Sequence, residues 1–123
     1  MQNPDGSTDD WHKQKTHYGV AFADVFVTVP TKEAGEQIAK VLVETQLAAC
    51  VNLLPEIKSI YTWEGEVCNE AEVMMVIKTQ VKLFEAVAES IQSLHPYEVP
   101  EIIALPIVAG SESYLAWIDA VTR

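Results

Sequence analysis

The chemistry-bearing residues of this chain gather in one short segment, His95-Pro96-Tyr97-Glu98-Val99-Pro100-Glu101. A neutral imidazole beside carboxylates is a donor set for Cu²⁺ or Zn²⁺. The prolines keep the segment out of a helix, so His95, Glu98 and Glu101 are not forced onto separate faces. Without a soft sulfur ligand such a set binds divalent ions weakly and with little selectivity. A plainer reading puts His95 at the C-terminus of a helix, where an imidazolium meets the negative end of the dipole. Glu98 and Glu101 are then solvated or paired with Lys78.

A second group combines Tyr61, Trp63, Lys78, Tyr97 and Glu101. Aromatic rings with one cation and one carboxylate can line a cleft for a small anionic ligand. The same aromatics also suit a protein interface, as rigid anchors.

Nucleophilic catalysis finds no support. Two of the three histidines, His12 and His17, lie near the N-terminus, and no Gly-x-Ser-x-Gly elbow is present. The five glycines never cluster into a phosphate loop. The sequence therefore reads as non-enzymatic. No motif demands a cofactor; Cu²⁺ or another divalent cation is the candidate.

Eight basic and eighteen acidic residues give a net charge of −10 over 123 residues. That balance repels phosphate backbones and anionic lipid headgroups, which speaks against nucleic-acid and membrane partners. No apolar run reaches transmembrane length. The two cysteines, Cys50 and Cys68, do not make a disulfide framework. The polar N-terminus has no secretory h-region, and Asp5, Asp9 and Asp10 are unlike a transit peptide. These features predict a cytoplasmic protein with a flexible tail, residues 1–17, and one domain, residues 18–123.

The elements that must position these groups follow from periodicity. Val20 to Val29 reads as a strand ended by Pro30. Thr31 is a candidate N-cap for a helix over residues 32–46, with Ile38, Val41 and Leu42 on its apolar face. Apolar runs on both sides of Glu64-Gly65 predict a hairpin, interrupted at Pro55 by a bulge or an edge position. Thr79 is a candidate cap for a second helix, which Pro96 stops at His95. Ile102 to Val108 reads as a strand buried on both faces. Ser111 opens a last helix with Tyr114, Leu115, Trp117, Ile118 and Val121 as its buried face. The order is that of an α+β, ferredoxin-like βαββαβ sandwich with an extra C-terminal helix.

With the turn at Glu64-Gly65, Trp63 faces Glu66, Tyr61 faces Cys68, and Cys50 faces Thr79. Residues 48–79 then form two arms spanning roughly 50 Å each. A domain of this size is roughly 33 Å across. The hairpin must bend back or project. A projecting ribbon with open edges and large aromatics calls for another copy of the chain.

The runs Leu47-Ala48-Ala49-Cys50-Val51-Asn52, Ser59-Ile60-Tyr61-Thr62-Trp63-Glu64-Gly65, Ile77-Lys78-Thr79, His95 to Glu101, and Tyr114-Leu115-Ala116-Trp117 resemble the CutA family, over roughly residues 20–123. The resemblance implies a homotrimer with long intersubunit hairpins and an architecture like that of PII signalling proteins. It implies a link to tolerance of copper and other divalent cations and no catalytic activity. It also implies His95 and Glu101 as copper ligands. A first-strand cysteine proposed as a third ligand in a bacterial relative corresponds to Val27, so the soft donor is missing. Animal members are associated with anchoring another protein, which makes a trimeric interaction scaffold the alternative function.

Overall fold

The computed structural model describes residues 15–16 and 19–123. Most of the expected tail lies outside the described residues. Its described part, β1 (Lys15–Thr16), pairs antiparallel with β2 (Gly19–Val20).

From Phe22 onward the order is β3 (Phe22–Val29), α1 (Lys32–Glu44), β4 (Cys50–Trp63), β5 (Glu66–Gln80), α2 (Phe84–Leu94), β6 (Ile102–Pro106) and α3 (Glu112–Val121). The four long strands form an antiparallel sheet in the order β4-β5-β3-β6. This is the expected ferredoxin-like α+β arrangement with an added helix.

Alternation along the strands sets the core. Val25, Val27, Val29, Val73, Met75 and Ile77 point to one face and meet Ile38 and Leu42 of α1 and Val87 and Ile91 of α2. Each is essentially solvent-free. Local signals start the helices as expected. The Thr31 hydroxyl accepts from the Ala34 N–H at 3.1 Å, and Ser111 caps α3 by accepting from the Tyr114 N–H. α1 ends at Glu44 rather than at residue 46, because Gln46 takes a left-handed φ of 62°. The Leu47 N–H then returns to the Leu42 carbonyl at 2.9 Å, closing the helix end.

The structure corrects several expectations. Thr79 caps no helix. It is fully buried in β5, and its hydroxyl donates to the Leu47 carbonyl at 2.6 Å. A 3-10 turn, Val81–Leu83, intervenes before α2. Cys50 pairs with Lys78 and not with Thr79, although Trp63 faces Glu66 and Tyr61 faces Cys68 as expected. The register shifts between Leu54 and Ile57, where Pro55 sits, so β4 carries one extra residue. β6 ends at Pro106 and is not buried on both faces: Ile103 is 49% and Leu105 42% exposed. On α3, Leu115 and Ile118 are buried, but Tyr114 and Trp117 are exposed. The face of the sheet away from α1 and α2 is covered near Phe22, by Leu115 and Ile118. Beyond that end it presents Leu54, Ile103 and Leu105 to solvent.

The hairpin turns at Glu64 (φ 51°) and Gly65 (φ 82°). Both values are left-handed, the pairing that matches strand twist in a two-residue turn. The outer arms do not fold back on the core, and Ile60 and Val67 are among the most exposed apolar side chains.

Candidate functional site

Pro96 holds His95 in an extended conformation (φ −78°, ψ 137°), and α2 stops there. The chain turns back toward β3. The imidazole is buried. Its Nε2–H donates to the Thr28 carbonyl at 2.8 Å, and its Nδ1 accepts from the Tyr97 N–H at 3.0 Å. Only the neutral ring satisfies both bonds. His95 is thus at a helix C-terminus, as the plainer reading had it, but as a neutral strap and not as an imidazolium. Any cation that used it would have to displace one of these backbone partners.

The strap sets Tyr97, whose ring lies 4.8 Å from that of His95. The Tyr97 hydroxyl donates to Glu72 Oε2 at 2.8 Å. Across the ribbon, the Tyr61 hydroxyl donates to Glu70 Oε1 at 2.9 Å. Between the ribbon and the residue 97–101 segment lies a cleft of about 550 Å³. Its aromatic lining is Tyr61, Trp63 and Tyr97, and its carboxylates are Glu70, Glu72, Glu98 and Glu101. No lysine or arginine is among its described lining residues.

The carboxylates tune the tyrosines. The hydrogen bond to Glu70 is the main cause of a Tyr61 pKa pushed up to about 12. Tyr97 is raised further, first by burial and then by its bond to Glu72. In both cases the neutral, donating form is favoured. The stabilisation from Tyr97 is therefore present below the ordinary phenol value of about 10 and lost as pH rises through the folded value. An absorbance titration of tyrosinate should show both hydroxyls ionising later than a free tyrosine. Phe at position 61 or 97 should remove one late-titrating group.

The structure brings together five of the expected site residues: Tyr61, Trp63, Tyr97, Glu98 and Glu101. His95 lies beneath them. Lys78 does not join them. It sits about 20 Å further along β5, where its ammonium donates to Asn52 Oδ1. Val27 is fully buried in the core between sheet and helices, away from the cleft. Among the described residues, no group of three or more His, Cys, Asp or Glu side chains converges to hold a metal ion. Sequence reasoning missed Glu70 and Glu72. The hairpin register carried the signal: Glu70 faces Ser59 and Glu72 faces Ile57, which alternation puts on the same face as Tyr61.

The CutA1 divalent ion tolerance protein family matches residues 24–121. A chloroplastic CutA protein of Arabidopsis thaliana is 48% identical over 99 residues, covering 80% of this chain and 54% of that protein. The chain spans about half the length of this and the mouse relative. The solved divalent cation tolerance protein of Thermus thermophilus superposes with a TM-score of 0.81 at 46% identity, covering 83% of this chain and 99% of that one. A CutA from Archaeoglobus fulgidus, described as periplasmic, gives a TM-score of 0.81 at 38% identity over 83% of this chain and 99% of its own. No described helix of the present chain is long and apolar enough to cross a membrane. On the match over residues 24–121 and the shared fold, this chain belongs to the CutA1 divalent ion tolerance family.

Proposed function

We propose that this chain is a non-enzymatic homotrimer, PII-like in architecture, that binds divalent cations weakly in its acidic cleft and so contributes to tolerance of such ions, copper among them. The carrying observation is the cleft: four carboxylates and no basic side chain among its described lining. Glu98 and Glu101 supply oxygen donors from one wall. His95 contributes by holding that wall, and as a ligand only if it exchanges a backbone partner. The dispersed donors support low affinity, with a neighbouring copy completing the coordination. Cys50 and Cys68 are both free, which accords with the cytoplasm. A small anionic ligand is the less favoured occupant, because Lys78 lies outside the cleft.

Self-assembly draws on the open ribbon edges and on the sheet face bearing Leu54, Ile103 and Leu105. The alternative, a trimeric scaffold anchoring another protein, draws on exposed Val99 in the residue 97–101 segment and on exposed Val108 beyond the far end of β6.

Isothermal titration of Cu²⁺ and Mn²⁺ into the wild type and a Glu98→Gln, Glu101→Gln variant tests the metal reading. Both residues are exposed, so the fold should tolerate the change. The expected result is an affinity loss of about tenfold or more, equivalent to at least ~1.4 kcal/mol. Superimposable isotherms would remove the cleft from metal binding. A partner protein retained by the same variant would favour the scaffold.

A further inference from the structure

We propose that the cleft takes a linear polyamine, an organic cation whose positive charge is spread along its length. This rests on the reading of the cleft as a cation site and names a different cation for it.

The cavity has two walls of unlike origin. The ribbon supplies Tyr61, Trp63, Glu70 and Glu72; the segment after α2 supplies Tyr97, Glu98 and Glu101. Aromatic faces and carboxylates together are the chemistry that holds organic ammonium groups, by cation–π attraction and charge-assisted hydrogen bonds. A compact metal ion needs several donors around one point, and no such convergence exists among the described residues. The carboxylates are strung along the cleft instead. Glu70 and Glu72 stand two residues apart on one strand face, roughly 7 Å. A propylene or butylene spacer between ammonium groups covers a comparable span.

Glu72 points to the sign and the class of ligand independently of the number of acids. It is 6% exposed and lines the cavity, yet among the described residues it accepts a side-chain hydrogen bond on Oε2 alone, from neutral Tyr97. Among the described residues only Asp24 Oδ1 is a buried side-chain oxygen without a partner, so the second oxygen of Glu72 is not orphaned and stays accessible from the cavity it lines. An ammonium group in the cleft can donate to that oxygen in a charge-assisted hydrogen bond while Tyr97 keeps the other. The tyrosine bonds to Glu70 and Glu72 hold both carboxylates in place before any ligand arrives, which lowers the ordering cost of binding.

Spermidine titrated into the intact assembly at constant ionic strength tests this, beside butylamine and Mn²⁺. Spermidine should bind at least tenfold more tightly than either. A Glu70→Gln, Glu72→Gln variant should lose tenfold or more for spermidine. Glu33→Gln with Glu36→Gln, an equal charge change on exposed positions of α1, should leave binding unchanged. If the Glu70, Glu72 variant does not fold, the exposed Glu98, Glu101 variant carries the same expectation. Equal losses in the α1 control would mean diffuse screening of a −10 chain and would overturn the proposal. So would equal affinity for butylamine. Mn²⁺ binding without spermidine binding would reject the polyamine and keep the cation site; binding of neither would reject both.

Discussion

Replacing His95 by alanine is expected to cost the metal-free protein about 2–4 kcal/mol of stability. The substitution removes both ring hydrogen bonds, to the Thr28 carbonyl and from the Tyr97 N–H. Thr28 and His95 are both buried, at 7% and 8% exposure, so the backbone groups left behind lose their partners where water is scarce. Each such loss costs about 1–3 kcal/mol, and partial relaxation of the residue 96–101 segment offsets some of it. For a domain of this size the melting temperature should fall by roughly 10 °C or more. Thermal unfolding with chelator present measures this. Tyr97 should also lose its grip on Glu72, so one late-titrating tyrosine should move back toward its ordinary value. A residue serving only as a metal ligand behaves differently: its alanine variant keeps the metal-free melting temperature and loses only the metal-induced rise. An unchanged melting temperature in chelator would therefore remove the strap role assigned to His95.

The second large effect concerns assembly. Ile103 and Leu105 are about half exposed in the single chain and lie on the sheet face away from α1 and α2. Their cross-strand neighbours are Phe26 and Asp24. Glutamate at both positions should shift the stability of a lone subunit by only about 0.5 kcal/mol, as for ordinary surface changes. If copies pack on this face, the same change buries unpaired carboxylates at an interface, at a cost of several kcal/mol. The expected result is a loss of about a thousandfold or more in association. Light scattering should then report the single-chain mass, 13.6 kDa, where the trimer proposed for the wild type would report three times that. Trp63→Ala should weaken assembly less, since it trims one ribbon anchor and introduces no charge. A double glutamate variant that stays fully trimeric would place the interface elsewhere.

The amino-acid sequence by itself determined the element order, the turn at Glu64-Gly65, the caps at Thr31 and Ser111, and the helix stop before Pro96. All of these depend on backbone preferences and hydrogen bonds acting over a few residues, which the chain carries wherever it goes. Alternation from that turn likewise puts Tyr61 opposite Cys68 without help from any tertiary contact. Tertiary structure decided the rest. The bulge at Pro55 moved Cys50 onto Lys78, because the sheet must absorb one extra residue to keep Leu53 against Met75 and Val51 against Ile77 on the core side. Thr79 had the chemistry of a cap, but the β3–β5 ladder extends through Ala23 and Phe22 and holds it as a strand residue. β6 reads as an interior strand from composition, yet the sheet order leaves it at an edge. The cleft belongs wholly to this level. Glu72 meets Tyr97, and His95 meets Thr28, only because β3 and β5 are neighbours and α2 returns the chain to their ends. Side chains so far apart along the chain have no local term that favours their meeting; the packed sheet alone brings a neutral histidine, two tyrosines and four carboxylates to one place.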